Sequence, residues 1–129
     1  MSIKSIELVE HGEDVENYLE YEVTHNNGSI GIVDLRIMEL DEFHHMRLLL
    51  DKGLSSGSKI AELFFYPHSN TTQQRQGVGS QVLDTILNNA RDREIRAVYI
   101  EATNTIAERF FRKMGFEICY GTHYYKVIS

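Results

Sequence analysis

The chain has 129 residues, of which 42% are hydrophobic and 25% charged, and these values predict one globular domain over residues 1–129. A formal net charge of −6 argues against a protein that binds nucleic acid, because duplex-binding domains present a basic face. The charged N-terminus lacks the apolar stretch of a signal peptide, and no apolar run is long enough to span a membrane. Cys119 is the only cysteine, so a cytoplasmic, reducing location is expected, and the scattered histidines predict no metal site.

Alternating apolar and polar residues predict three strands in the N-terminal half, at residues 3–10, 18–24 and 29–38. Between the first two strands, the sequence His11-Gly12-Glu13-Asp14 predicts a turn. Between the second and third, Asn26-Asn27-Gly28 supplies residues that tolerate positive φ and predicts a tight hairpin. This half is therefore expected to be antiparallel.

Residues 39–52 fit two different patterns. Phe43, Met46, Arg47 and Leu50 match the spacing of a helix, whereas the run from Leu48 to Leu50 matches a buried strand. Both interpretations stay open. The glycines and serines of residues 53–58 predict a flexible loop.

The second half alternates strands with helices. A strand over 59–66 ends at Pro67, and the helix over 77–91 is supported by apolar residues that recur every four positions from Val78 to Ala90. A second helix over 105–114 lies between Asn104, a good N-cap residue, and Gly115. The remaining predicted elements are strands over 96–102, 116–120 and 124–128. The fold class is therefore α/β, with a mixed, mostly antiparallel central sheet flanked by helices.

The sequence Gln74-x-x-Gly77-x-Gly79 lies between a predicted strand and a predicted helix. The first turn of a helix offers unpaired N–H groups and a positive dipole end, and glycines let an anion approach the backbone. Arg75 could add a charged contact. The pattern favours a pyrophosphate site. A short glycine motif before a helix is also compatible with a simple tight turn.

Three segments, in this order, resemble motifs of the GNAT acetyltransferases. Residues 61–65 resemble the central strand of that family, and Gln74-x-x-Gly77-x-Gly79 resembles its coenzyme A motif. Asn104-x-x-Ala107-x-x-x-Phe111-x-x-x-Gly115-Phe116 resembles its second motif. The resemblance covers about residues 59–128. It implies a GNAT fold and transfer of an acetyl group from acetyl-CoA to a primary amine of a small molecule, peptide or protein.

The resemblance also implies where acetyl-CoA binds. The central strand of the family splays from its neighbour, and pantetheine lies in the gap. The implied pantetheine contacts are with Phe65, Tyr66 and His68. The implied pyrophosphate site consists of Gln74, Arg75, Gln76, Gly77, Val78, Gly79 and Ser80. Asn104, Phe110 and Phe111 would flank the thioester and pantetheine.

Two departures from the family bear on catalysis. No room exists between the first two predicted strands for the usual first helix pair, so the acceptor site is open, or is closed by residues 39–58 or by the second subunit of a homodimer. Phe111 stands where many members have a tyrosine that protonates the leaving thiolate. A non-catalytic, coenzyme A-binding sensor or interaction module is therefore the alternative function.

Candidate catalytic residues follow from the chemistry of amine acylation. An amine of pKa about 10.4 must lose a proton before it attacks, and Glu62 resembles the general base that some members carry on this strand. Glu62 on a solvated strand face is the alternative. Tyr120 and Tyr124 are candidates for the missing acid, although tyrosines in strands commonly serve only to pack.

Overall fold

The computed structural model describes residues 6–15, 17–25, 28–67 and 78–128, without the side chains of residues 6–15, His25, Ile30, Pro67 and Val78. Seven strands form one sheet in the order β1-β2-β3-β4-β5-β7-β6. The strands are β1 (Ile6–Val15), β2 (Tyr18–His25), β3 (Gly28–Glu39), β4 (Lys59–Pro67), β5 (Ile95–Glu101), β6 (Glu117–Tyr120) and β7 (His123–Val127). The helices are α1 (Met46–Asp51), α2 (Val78–Asp92) and α3 (Thr105–Lys113).

The N-terminal half is antiparallel, as predicted, with β1 paired to β2 and β2 to β3. The predicted turn at residues 11–14 is wrong, because β1 continues to Val15, which pairs with Tyr18. A shift of register between His11 and Val15 accommodates the extra residues as an irregularity in the strand. The chain passes from β1 to β2 without a helix, so the usual helix pair is absent, as expected.

The pairing of β4 with β5 is parallel, whereas every other pair in the described sheet is antiparallel. Helix α2 connects β4 and β5 across one face of the sheet, as a parallel connection requires. The mixed, mostly antiparallel α/β sheet predicted from the sequence is confirmed.

Helices α2 and α3 cover one face of the sheet, here called the α2 face. Leu83 and Ile86 of α2 pack there with Ala61 and Leu63 of β4. The buried Tyr21 hydroxyl donates to Asn89 Oδ1 at 2.8 Å and ties β2 to α2. Because successive strand residues point to opposite faces, Ile60, Glu62 and Phe64 lie on the other side.

Residues 40–54 cover part of this other side, here called the α1 face. A 3-10 turn at Leu40–Glu42 and helix α1 place Leu40, Phe43 and Leu49 against Ile60 and Tyr125. The two patterns in residues 39–52 are therefore resolved in favour of a short helix. The loop after α1 is anchored, since Asp41 accepts hydrogen bonds from the Ser56 hydroxyl at 2.8 Å and from the Gly57 amide at 3.2 Å.

Helix α3 begins and ends as the sequence predicts. Asn104 is its N-cap and accepts a hydrogen bond from the Ala107 amide at 2.8 Å. Gly115 follows the helix with φ of 92°, a conformation that favours glycine. Lys126 Nζ donates to the Met114 carbonyl at 2.7 Å, so a cation satisfies the C-terminal end of the helix.

Among the described residues, no helix is long and apolar enough to cross a membrane.

Candidate functional site

The strands β4 and β5 separate halfway along their length. Their parallel pairing begins at Lys59 and ends where Glu62 pairs with Tyr99. Beyond that point, β4 stays paired with β3 as far as Pro67, and β5 stays paired with β7 as far as Glu101. The two inner edges therefore bound a gap with no strand between them in the described chain. Unpaired strand edges of this kind can accept an extended ligand through backbone hydrogen bonds.

Glu62 lies at the base of this gap, on the α1 face. Its side chain is 21% exposed, and its Oε1 lies 3.8 Å from Arg36 Nη1. The Arg36 guanidinium is itself mostly exposed and lies 5.5 Å from the centroid of the Phe64 ring. An ion pair this long, with a mostly exposed guanidinium, contributes about 0–1 kcal/mol, so it holds the partly exposed Glu62 carboxylate only weakly.

Tyr99 faces Glu62 across the base of the gap. Its ring packs edge-on against Phe43 at 5.0 Å and stacks on His123 at 5.1 Å. Burial and the nearby Glu62 charge raise the pKa of Tyr99, so its hydroxyl stays protonated. Only the register of two strands distant in sequence brings Glu62 and Tyr99 together, and no local motif signals it.

The structure places Tyr120 and Tyr124 away from Glu62. Tyr124 is fully buried on the α2 face, with its ring 5.3 Å from the Arg112 guanidinium, and burial raises its pKa. Tyr120 lies on the edge strand β6, is 67% exposed and stacks on His45 at 5.4 Å. Tyr120 on β6 is separated from β4 by β5 and β7, and Tyr124 on β7 is separated from β4 by β5, so neither candidate acid adjoins the base of the gap.

The first turn of α2 lies against α3. A Cβ atom built on Gly79 would lie 3.5 Å from the Phe110 ring, which places that ring beside the helix N-terminus. The Phe110 and Phe111 rings are 5.6 Å apart, and Phe111 also contacts Phe116. Ser80 is half-buried in the same first turn. A helix N-terminus beside aromatic rings is compatible with a phosphate group next to an apolar chain.

The remaining residues predicted to contact the cofactor lie on β4, at the start of α3, or outside the described residues. Phe65 and Tyr66, on the free end of β4, are 39% and 53% exposed. The Asn104 side chain is engaged as the N-cap of α3. His68, Gln74, Arg75, Gln76 and Gly77 lie outside the described residues. The described part of the chain thus contains an unpaired gap between β4 and β5, and a helix N-terminus beside aromatic rings, and these features fit a long ligand with an anionic end.

A separate groove of ≈ 620 Å³ lies at the opposite end of β4 and β5. It is lined in part by Lys59, Arg91 and Arg96, but Arg91 is engaged in donating to the Ile128 carbonyl at 2.6 Å. This groove lies where the two strands begin, whereas the gap lies where they diverge. In the described chain, no group of three or more His, Cys, Asp or Glu side chains could hold a metal ion.

Comparison with known proteins identifies the fold. Residues 60–116 match the model of the Acetyltransferase (GNAT) family. The fold resembles the N-acetyltransferase PseH of Campylobacter jejuni, with a TM-score of 0.61 and 14% identity over 89% of this chain and 71% of that chain. It also resembles NAA60 of Arabidopsis thaliana in complex with acetyl-CoA, with a TM-score of 0.68 and 14% identity over 88% and 78% of the two chains.

A third similar structure is a Salmonella typhimurium acetyltransferase that modifies the N-terminal serine of a 50S ribosomal subunit protein. Its TM-score is 0.59, with 17% identity over 88% of this chain and 66% of that chain. No curated protein sequence matches the chain. The protein therefore has the GNAT fold, its residues 60–116 carry the GNAT acetyltransferase signature, and the resemblance seen in its sequence is confirmed.

Proposed function

We propose that this protein transfers an acetyl group from acetyl-CoA to a primary amine of a small molecule, peptide or protein. The observation that carries the proposal is the end of β4–β5 pairing at Glu62 and Tyr99, because it creates a strand-shaped gap with a carboxylate at its base. The family match over residues 60–116 and the similar structures that contain acetyl-CoA support the same activity.

The gap and the first turn of α2 indicate where each part of acetyl-CoA would bind. Backbone groups near Phe65 and Tyr66 would pair with pantetheine, and the first turn of α2 with residues 74–77 would hold the pyrophosphate. Phe110 and Phe111 would form an apolar wall beside the acyl chain. When bound, acetyl-CoA supplies an activated acetyl group, which passes to the acceptor nitrogen as that nitrogen loses a proton and coenzyme A leaves as its thiol.

Glu62 is the proposed general base. Its carboxylate is partly exposed on the α1 face, so an amine that approaches from that face can pass its proton to it. Residues 40–54 lie on the same face and extend to Tyr99 through Phe43, so they would flank the acceptor. The structure thus supports the hypothesis that this segment replaces part of the missing helix pair.

The proton donor to the leaving thiolate is a separate question, because Phe111 has no hydroxyl. Tyr120 and Tyr124 are the candidates from the sequence, but Tyr99 is the phenol whose register position adjoins Glu62. We therefore rank Tyr99 ahead of both. A thiol of pKa about 8.5 is also a fair leaving group without an acid, so an acid would accelerate the reaction but is not essential.

The acceptor differs among similar structures. AtaT is seen with acetyl-methionyl-tRNAfMet, whereas the Salmonella typhimurium acetyltransferase modifies a protein N-terminus. For this chain we propose an acceptor amine that is not carried by a nucleic acid, because the net charge of −6 opposes contact with RNA. The proposed location is the cytoplasm, as expected from the single cysteine. A non-catalytic coenzyme A sensor is the second candidate function. It is favoured by Phe111, which has no hydroxyl with which to protonate the leaving thiolate.

Release of free thiol from acetyl-CoA, measured with a panel of amines, tests the proposal. Glu62→Gln should lower kcat at pH 7 by ~10²-fold or more, since the amide cannot take a proton, and the loss should shrink at higher pH. Glu117→Gln is the matched control, because Glu117 lies on the edge strand and its side chain is 61% exposed. Coenzyme A binding without thiol release for any amine would favour the sensor. Equal rates for Glu62→Gln and the parent protein would remove Glu62 from the mechanism.

A further inference from the structure

The free end of β4, which comprises residues 64–67, is paired on one side only. Beyond Glu62 the strand has no pairing with β5, whereas its pairing with β3 continues as far as Pro67, whose partner is Gly31. In the sheet, β3 and β5 flank β4 on opposite sides. How closely this end of β4 lies against β3 therefore determines how wide the gap to β5 is.

Gly31 is buried beneath the Phe65 ring. Both residues lie on the α2 face, because Phe65 pairs with Val33 and Gly31 is two positions from Val33 along β3. A Cβ atom built on Gly31 would lie 2.8 Å from Phe65 Cε1 and 3.0 Å from Phe65 Cζ. Carbon atoms normally rest at about 3.5–4.0 Å from each other, so the ring occupies the space that a side chain at residue 31 would need.

The backbone of β4 also passes close to Gly31. The Tyr66 carbonyl oxygen would lie 2.9 Å from the same Cβ atom. A ring can turn away from an added methyl group, but a carbonyl oxygen moves only together with its strand. A glycine inside a strand commonly marks such a close approach of another backbone, so glycine at residue 31 allows β4 to lie nearer to β3.

This arrangement directs the Phe65 ring away from the gap. The ring reaches diagonally to β3, which is on the side of β4 opposite to β5. Phe65 is 39% exposed and belongs to neither buried cluster of the described chain, so the contact with Gly31 is what places its ring on β3. A shift of the β4 backbone away from β3 would be a shift toward β5, and it would narrow the gap.

We infer that Gly31 is a positioning residue for coenzyme A: by leaving room for the Phe65 ring on β3, it keeps that ring and the free end of β4 out of the gap. The inference rests on the proposed function, since it takes the gap as the pantetheine site. Gly31 touches neither pantetheine nor the reacting atoms, because β4 lies between it and the gap. Its effect therefore falls on cofactor affinity and not on the chemical step at Glu62, which precedes the free end.

Binding of coenzyme A to Gly31→Ala tests this inference. The methyl group must displace the Phe65 ring or the Tyr66 carbonyl, and coenzyme A can then bind only if the overpacked contact is restored. The Kd of coenzyme A should rise by roughly fivefold or more. In turnover, the KM of acetyl-CoA should rise by a similar factor, whereas kcat should stay within about twofold of the parent value.

A double-mutant cycle with Phe65→Leu shows whether the ring transmits the effect. Leucine lacks the ring atoms that the methyl group of Gly31→Ala would meet. In the Phe65→Leu background, the factor by which Gly31→Ala raises the Kd should therefore be smaller by about twofold or more. The same factor in both backgrounds would overturn the inference.

Gly57→Ala is the matched control for a general loss of stability. Gly57 has φ of 86° and nothing within 4 Å of a built Cβ atom, so alanine strains the backbone there without a new contact. It precedes β4, at the end opposite to the gap. This variant should lower the urea midpoint and leave the Kd of coenzyme A unchanged. A Kd that rises as much as in Gly31→Ala would contradict a specific role for Gly31.

Amide hydrogen exchange provides the test if Gly31→Ala does not fold. Phe65→Leu removes the ring from Gly31, so the free end of β4 should be held less firmly against β3. Those amides of residues 64–66 that pair with β3 should exchange faster by roughly threefold or more, with little change in β2. Unchanged exchange in residues 64–66 would overturn the inference.

The outcomes separate the inference from the proposed function. Coenzyme A that binds the parent protein and Gly31→Ala equally well would overturn the inference and leave acetyl transfer intact. Binding that depends on Gly31, without thiol release for any amine, would support the inference and refute the enzyme. A parent protein that binds no coenzyme A would refute both.

Discussion

Replacing Gly79 by alanine tests which side of the α2 N-terminus faces the cofactor. The added Cβ would meet the Phe110 ring at 3.5 and 3.7 Å, which is ordinary van der Waals contact, so the folded protein accommodates it without strain. Glycine in a helix costs roughly 0.5–1 kcal/mol relative to alanine, so Gly79→Ala should be more stable than the parent by about that amount. For a domain of this size, the melting temperature should rise by roughly 2–5 °C.

Because that Cβ points at α3, coenzyme A should bind Gly79→Ala with a Kd within about twofold of the parent value. Gly77→Asp is the opposed variant, since a carboxylate beside the pyrophosphate should weaken binding at least tenfold, about 1.4 kcal/mol. Thermal unfolding with and without coenzyme A measures both quantities, because specific binding raises the melting temperature by mass action. A stabilised Gly79→Ala that no longer binds coenzyme A, or a Gly77→Asp that binds normally, would refute this placement of the ligand.

Substitutions at three other positions probe separate parts of the structure. Asn104→Ala should lower the free energy of unfolding by about 1 kcal/mol through loss of the α3 N-cap, whereas Asn104→Asp should retain it; equal urea midpoints for both would contradict the cap. Phe111→Tyr should leave coenzyme A affinity unchanged and, if protonation limits the rate, raise thiol release; a large loss of affinity would show that Phe111 is only core. Because folding raises the pKa of Tyr18 from 10.0 to about 12, chiefly through a hydrogen bond that its hydroxyl donates to Asp34, its contribution to stability is complete below pH 10 and is lost as pH rises through 12. Asp34→Asn should shift this loss to lower pH in urea unfolding, and an unchanged pH profile would remove Asp34 as the cause.

Local patterns in the sequence predicted the elements that local physics determines. The antiparallel pairing of β2 with β3, the apolar spacing of α2, and the Asn104 and Gly115 boundaries of α3 each depend on a few neighbouring residues, and each is found in the structure. The predicted turn residues Asn26 and Asn27 lie outside the described residues. The turn at residues 11–14 was wrong because the sheet retains those polar residues through an irregular register, which no local pattern encodes. Residues 39–52 stayed ambiguous because a run of leucines satisfies both a buried strand and a helix.

The sequence predicted a site residue only where a family motif contained a residue type that the reaction requires. Glu62 was identified as a carboxylate within an apolar strand, and the structure adds that β4–β5 pairing ends beside it. Tyr99 was missed, because its position beside Glu62 depends on cross-strand register rather than on sequence neighbours. Tyr120 and Tyr124 were chosen for closeness in sequence to the second motif, but strand order separates them from Glu62.

Amide hydrogen exchange of β4 and β5 with added acetyl-CoA tests the central claim most directly, because the gap lies between these strands. Amides of residues 63–66 that face the gap have no strand partner on that side, whereas those that face β3 are already protected by pairing. Saturating acetyl-CoA should slow exchange of alternate amides in residues 63–66 and in the first turn of α2 by at least tenfold, with little change in β2. Saturable binding that leaves exchange in residues 63–66 unaltered would contradict the account, because the ligand would then lie outside the gap.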